Sequence, residues 1–148
     1  MVSQFNQFIK EICQDQKVYL LTSDQGFAVS YSEEFEYEDG SNLEVICFWS
    51  NTDLAEKAKH NQWENNQIDS IELSTFLEEW LFGMIEEVSL VGINFDESSK
   101  GEEYSPLEVI LAIVHELSQT NNNLKLNHFK NLNEIKKVTL ELKESFNQ

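Results

Sequence analysis

The chain has 148 residues and a mass of 17.2 kDa, the size of one ordinary domain. Ten lysines and no arginine stand against 27 acidic residues, a formal charge of −17, yet 41% of the residues are apolar, among them ten Phe, three Trp and four Tyr. That composition can build a core, which argues against global disorder, while its acidity argues against nucleic acid and anionic membrane surfaces as partners, since both select for cations.

Ser3 is placed to cap a first helix in which Phe5, Phe8, Ile9, Ile12 and Cys13 share one face. Residues 17–22 (KVYLLT) are strand formers, Asp24-Gln25-Gly26 supplies a turn, and residues 27–31 (FAVSY) are predicted to return antiparallel as a hairpin. The acidic run Glu33-Glu34-Phe35-Glu36-Tyr37-Glu38-Asp39, closing at Gly40, reads as an exposed loop or a ragged extension of that strand, because its carboxylates repel one another. Residues 43–49 (LEVICFW) predict a central strand, apolar on both faces in its second half. Asn51 or Thr52 then caps a helix that turns Leu54, Ala55 and Ala58 inward and ends near Asn61.

A short strand is predicted over 68–73, followed by a helix from Ser74 with Phe76, Leu77, Trp80, Leu81 and Met84 in one stripe. Residues 88–95 (VSLVGINF) read as another strand, with Gly92 marking a close backbone approach, and residues 96–104 as a polar loop. Ser105-Pro106-Leu107-Glu108 is a strong helix start. The helix it opens, from Leu107 to Leu117, is apolar nearly all round, so it is either buried between layers or offered to a second copy as a surface for homo-oligomerisation. After a break at Thr120-Asn121-Asn122-Asn123 the character changes. Residues 119–148 hold five lysines and three glutamates, against five lysines and 24 acids before them. A last helix from about Leu132 carries Ile135, Val138, Leu142 and Phe146 at helical spacing. The expected architecture is α+β: a mainly antiparallel sheet of about five strands covered by helices over 1–118, with a mildly basic helical tail over 119–148 packing on it.

Chemical motifs are scarce. His115-Glu116 is half of a zinc-protease helix, but Gln119 occupies the position of the second ligand. His60 and His128 have no cysteine or histidine at ligand spacing. Asp96, Ser98, Lys100 and Gly101 imitate a calcium loop whose closing carboxylate would be Leu107, with a lysine beside the ion, so a plain strand-to-helix turn is expected. Cys13 and Cys47 fall on apolar faces and read as buried thiols of a reducing compartment. The five glycines are too dispersed to cradle phosphate. Trp49, Trp63 and Trp80 fit core packing better than a ligand pocket. No catalytic residue, metal site or cofactor is expected. The start, Met1-Val2-Ser3-Gln4-Phe5, lacks the basic and apolar stretches of a signal peptide, and the longest apolar run, 109–114, is far short of the ~20 residues that span a bilayer, so a cytoplasmic location is expected.

The hairpin with Gly26-Phe27-Ala28, the strand ending in Trp49, Leu54-Ala55, Trp63, Ile71-Glu72-Leu73, the run from Phe76 to Leu81 and the closing Val91-Gly92-Ile93-Asn94 together resemble a small bacterial family of uncharacterised proteins, domain of unknown function 2750. The resemblance covers Phe5 to Asn94 and extends towards the helix after Pro106. Two features depart from it: family members often follow the first tryptophan with proline where this chain has Ser50, and the insert from Glu33 to Asp39 differs. The resemblance implies a compact α/β domain and carries over no activity or site residues.

The expected function is that of a non-enzymatic protein-binding module, immunity- or antitoxin-like or regulatory, that recognises a basic partner by electrostatic complementarity. Glu33, Glu34, Phe35, Glu36, Tyr37, Glu38 and Asp39 are the expected contact, with two aromatic anchors inside a charged rim. The alternative is a small-ligand regulatory domain with a pocket lined by the tryptophans. An enzyme would need a histidine and a cysteine brought together in space, or one desolvated member among the paired carboxylates Glu33/Glu34, Glu78/Glu79, Glu86/Glu87 and Glu102/Glu103, most of which read as a solvated face.

Overall fold

Ser3 caps α1 (Gln4–Asp15) by accepting a hydrogen bond from the Asn6 N–H at 3.1 Å, and the helix buries Phe8, Ile9, Ile12 and Cys13. The computed structural model that contains it describes residues 3–146; Met1, Val2, Asn147 and Gln148 lie outside the described residues. Gln16 takes the left-handed conformation that ends the helix and turns the chain into β1 (Lys17–Ser23).

The predicted hairpin forms only at its tip. Gly26, at φ +112°, allows the turn into β2 (Gly26–Phe27), which pairs with β1 at Thr22–Phe27 and Ser23–Gly26. At Ala28 the chain changes partner: its N–H donates to Leu21 O of β1, while its carbonyl accepts from Cys47 N. The continuation, β3 (Val29–Glu36), pairs antiparallel with β4 (Asn42–Phe48) instead. The place left vacant beside β1 is taken by Trp49, bridged to Tyr19, and on its other edge β1 pairs along its length with β5 (Gln67–Glu72).

The single sheet of about five strands is therefore corrected to two sheets joined at Ala28 and Tyr19–Trp49, with orders β2-β1-β5 and β3-β4-β6-β7. The second contains a parallel pair, β4 with β6 (Leu90–Ile93). β7 (Glu102–Tyr104) arises within what the sequence offers as a polar loop. Because β2 and β3 are terminal in their sheets, the ribbon from Gly26 to Glu36 is an edge strand throughout. The α+β class stands.

Period-two alternation along β4 divides the interior in two. Ile46 and Phe48 join the larger core with α1, while Val45, Cys47 and Trp49 join a smaller one with Leu21, Ala55, Trp63 and Phe95. Gly92 is required at the crossing, since a Cβ there would lie 2.8 Å from Val45 Cγ1 and 2.9 Å from Phe95 Cε1.

Asn51 caps α2 (Thr52–Lys57) through Leu54 N at 2.8 Å, and the helix stops at Ala58, short of the predicted Asn61. The next helix begins at Leu73 rather than Ser74 and has three parts: α3 (Leu73–Thr75), a π-helical turn (Phe76–Trp80) and α4 (Leu81–Glu87). Val88 ends α4 in the left-handed conformation at φ +58°, which delays the following strand to Leu90. Ser105 and Pro106 open α5 (Pro106–Gln119) as expected. Its apolar faces are covered within the chain, by α1, α4, β6 and α6 (Leu132–Phe146). On α6, Ile135 and Thr139 face inward while Phe146, predicted on the same stripe, is exposed. No helix among the described residues is long and apolar enough to cross a membrane.

An amide and a carboxylate tie down the segment between α5 and α6: near its start Asn122 accepts from Gln16 Nε2 at 2.9 Å and donates to Cys13 O at 3.2 Å, and further on Glu78 takes over. Glu78, 6% exposed and set in the π-helical turn, accepts from three successive backbone N–H groups: Asn127 at 2.8 Å, His128 at 2.7 Å and Phe129 at 3.0 Å. Leu124, Leu126 and Phe129 pack on the larger core, and the Phe129 ring lies 5.3 Å from that of Phe82. Lysines play no part here. Among the described residues the ion pairs are Lys59–Glu56 and His128–Glu79, neither involving a tail lysine.

Burial pushes the Glu78 carboxyl upward, but the three backbone N–H groups, with His128, outweigh it and hold the group below the usual range. Its stabilisation is therefore complete above the unfolded-state value of about 4.3 and is lost as pH falls through the lower folded value. Glu78→Gln turns an amide NH2 toward backbone donors and is expected to lower stability by about 1–3 kcal/mol in urea unfolding at pH 7, with a smaller difference at acid pH. Val88→Gly relieves a β-branched residue in the left-handed region and is expected to raise stability by about 0.5–1 kcal/mol in the same assay.

Candidate functional site

A β-bulge shapes the most distinctive surface. Between the Tyr31–Glu44 and Glu36–Asn42 pairs, β3 carries residues 32–35 where β4 carries only Leu43. The surplus is organised by Ser32, fully buried, whose Oγ accepts from Glu34 N and Phe35 N at 3.2 Å and donates to Glu103 Oε2 at 3.1 Å. This ties the bulge to β7 and throws Glu33, Glu34 and Phe35 outward. They form one wall of a groove of about 550 Å³, with Ser99, Lys100, Gly101, Glu102, Glu103 and Tyr104 opposite, and with Ser30, Tyr31 and Phe95 completing the lining. Four glutamates and one lysine, Lys100, thus line the groove. Tyr31 and Phe35 are 58% and 52% exposed. Burial, with the charges of Glu102 and Glu108 and a hydrogen bond to Glu102, raises the Tyr104 hydroxyl.

Of the seven residues expected as a contact, only Glu33, Glu34 and Phe35 reach the groove. Glu36 pairs with Asn42 at the end of β3. Tyr37 is not a free anchor: its hydroxyl accepts from Glu44 N at 3.2 Å and holds the ring over β4. Glu38 is exposed in the turn. Asp39 accepts from Ser41 Oγ and N at 2.6 and 2.9 Å, bonds that hold its carboxyl low. The strand that brings Glu102, Glu103 and Tyr104 to the groove escapes the sequence reading because three residues are too few to show strand periodicity.

A second polar cluster lies at the carboxyl ends of the parallel pair, where open α/β sheets place ligands. Glu11 accepts from Ser50 Oγ at 2.6 Å, Asn51 Nδ2 at 3.0 Å and Gln7 Nε2 at 3.0 Å. Asn94 Oδ1 accepts from Ser50 N at 3.0 Å. Burial raises the Glu11 carboxyl, and the three side-chain bonds together bring it below its usual range. These bonds are all internal, so the cluster acts as a clasp between α1 and the strand ends. It also gives Ser50 a role: a proline there would have no N–H for Asn94.

Core packing is the expectation for the tryptophans, and the alternative of one pocket lined by all three finds no such shared pocket among the described residues. Trp49 is fully buried and donates from Nε1 to Phe95 O at 2.9 Å; Trp63 packs edge-on against it at 5.7 Å; Trp80 lies elsewhere, against Phe48 and Phe27. Asp96 spends its carboxylate on Ser98 N and Lys100 N, as a plain turn does.

The family described as "Protein of unknown function (DUF2750)" matches residues 5–113, from α1 into α5. The chain belongs to this family. In this DUF2750 protein the groove, the clasp and Glu78 lie inside the matched region, whereas the backbone cradle that holds Glu78 lies outside it. No curated protein and no solved structure matches the chain.

Both thiols are buried. Burial and the charge of Glu116 push Cys13 up to about 12, and burial with the charge of Glu103 raises Cys47 further. Folded protein at pH 8 is therefore expected to resist iodoacetamide at both positions, with two alkylations appearing in urea, as read by intact mass.

Proposed function

We propose that this protein is a non-enzymatic, cytoplasmic binding module whose acidic groove receives a basic protein, in the manner of an immunity, antitoxin or small regulatory protein. The observation that carries the reading is the convergence of Glu33, Glu34, Glu102 and Glu103 on one groove beside exposed Tyr31 and Phe35. Carboxylates so placed attract and orient a cationic surface at long range, and the aromatic rings supply contact area once water is expelled. The bulge makes the arrangement rigid before any partner arrives, which limits the entropy lost on binding. Two raised, buried thiols and a clasp with its hydrogen bonds spent internally favour recognition over catalysis.

The test is a pull-down from the native cell with wild-type protein and with Glu33→Gln/Glu34→Gln/Glu102→Gln, a variant that leaves the Ser32–Glu103 bond intact. A basic protein is expected to be retained at about 50 mM salt, released at about 500 mM, and held at least roughly tenfold more weakly by the variant. Retention that ignores both salt and the variant, or no basic protein captured at low salt, overturns the reading.

A further inference from the structure

A smaller cleft, about 280 Å³ and sharing no lining residue with the acidic groove, opens between β2 and α4. Two rings form its aromatic side: Phe27, 40% exposed, and Trp80 meet edge to face, with centroids 5.3 Å apart and planes at 62°. Glu79, Gly83 and Glu87 follow at four-residue spacing along the helical run, which sets a carboxylate on either side of the glycine.

Gly83 is the informative residue. It lies within α4, where glycine is the worst helix former after proline. Neither backbone nor packing demands it: its φ is not left-handed, and a Cβ there would meet nothing within 4 Å. Gly92 and Gly101, by contrast, are crowded. What the missing side chain does leave is open space beside two partly exposed rings and two carboxylates. Aromatic faces attract cations, and flanking carboxylates strengthen that attraction.

We propose that this cleft binds a lysine side chain of a basic partner, its ammonium resting against Trp80 and Phe27 between Glu79 and Glu87. Gly83 keeps the cleft open for it. The site is separate from the acidic groove and stands or falls without it. Glu79 also lies 3.5 Å from His128 Nε2, a neighbour that shares its carboxylate.

Tetralysine and its fully acetylated counterpart serve as probes, because acetylation removes the charge and keeps the chain. Trp49 and Trp63 are buried, so a fluorescence response reports Trp80. Tetralysine is expected to shift the emission and the Gly83 amide resonance, and acetylated peptide to shift neither. Gly83→Ala should fold with an equal or higher Tm yet bind at least about fivefold more weakly, as should Glu79→Gln/Glu87→Gln. The groove variant Glu33→Gln/Glu34→Gln/Glu102→Gln should leave the Trp80 response unchanged. No response to tetralysine, an equal response to the acetylated peptide, or full affinity in Gly83→Ala overturns the proposal. A response lost only in the groove variant overturns it too, and leaves the groove as the basic-partner site.

Discussion

A strand whose second half, from Val45 on, has no side facing water governs this molecule. β4 lies between β3 and β6, and from Val45 to Phe48 its alternate residues feed two different cores, so neither face has room there for a polar substitution. The helices α1, α4 and α5 gather on the side of Ile46 and Phe48, while Trp49, Trp63 and Phe95 close the side of Val45 and Cys47. The parallel contact with β6 depends on Gly92, whose absent side chain admits Val45 and Phe95 together. The groove lies at the margins of this frame, on β3 beside β4 and on β7 beyond β6, and Ile46 of β4 itself lines the cleft.

Acidity on this scale is compatible with a folded core because nearly all the carboxylates remain hydrated. The exception is Glu78, and what satisfies it is backbone rather than lysine. Three consecutive N–H groups pointing at one anion form a compact cradle of the kind that binds phosphate elsewhere. Such a contact between 78 and 127–129 is screened by salt far less than exposed lysine–glutamate pairs are. The lysines of the last thirty residues are left in solvent, where they soften the charge of the body without fastening the segment to it.

Much of this was legible in the residues. The caps at Ser3, Asn51 and Ser105 need only local chemistry, and LEVICFW could be read as a central strand because its second half leaves no polar face. Gly92 announced a close approach through the cost of glycine in a strand. The features that were not legible depend on partners remote in sequence. FAVSY is a good mate for β1, but beyond Phe27 that edge of β1 is taken by Trp49, which tertiary packing places beside Tyr19. The Glu33–Asp39 run showed its charge but not its bulge, because the residue that organises it, Ser32, owes its burial to Glu103 seventy-one positions away. Glu78 looked like any surface glutamate of a Glu–Glu pair: helical spacing places it on the edge of the apolar stripe, and the π-helical turn moves it inward.

The ribbon from Gly26 to Glu36, an edge in both sheets, has a bearing on how the protein behaves when crowded. Unpaired strand edges are templates on which identical chains zip together, and this one is long and includes Val29, Tyr31 and Phe35. Glu33, Glu34 and Glu36 on the ribbon would set like charge against like in a self-pairing, and the bulge bends the rail that a second copy would have to follow. The residues proposed to receive a cationic partner would thus also discourage sister molecules from pairing along it.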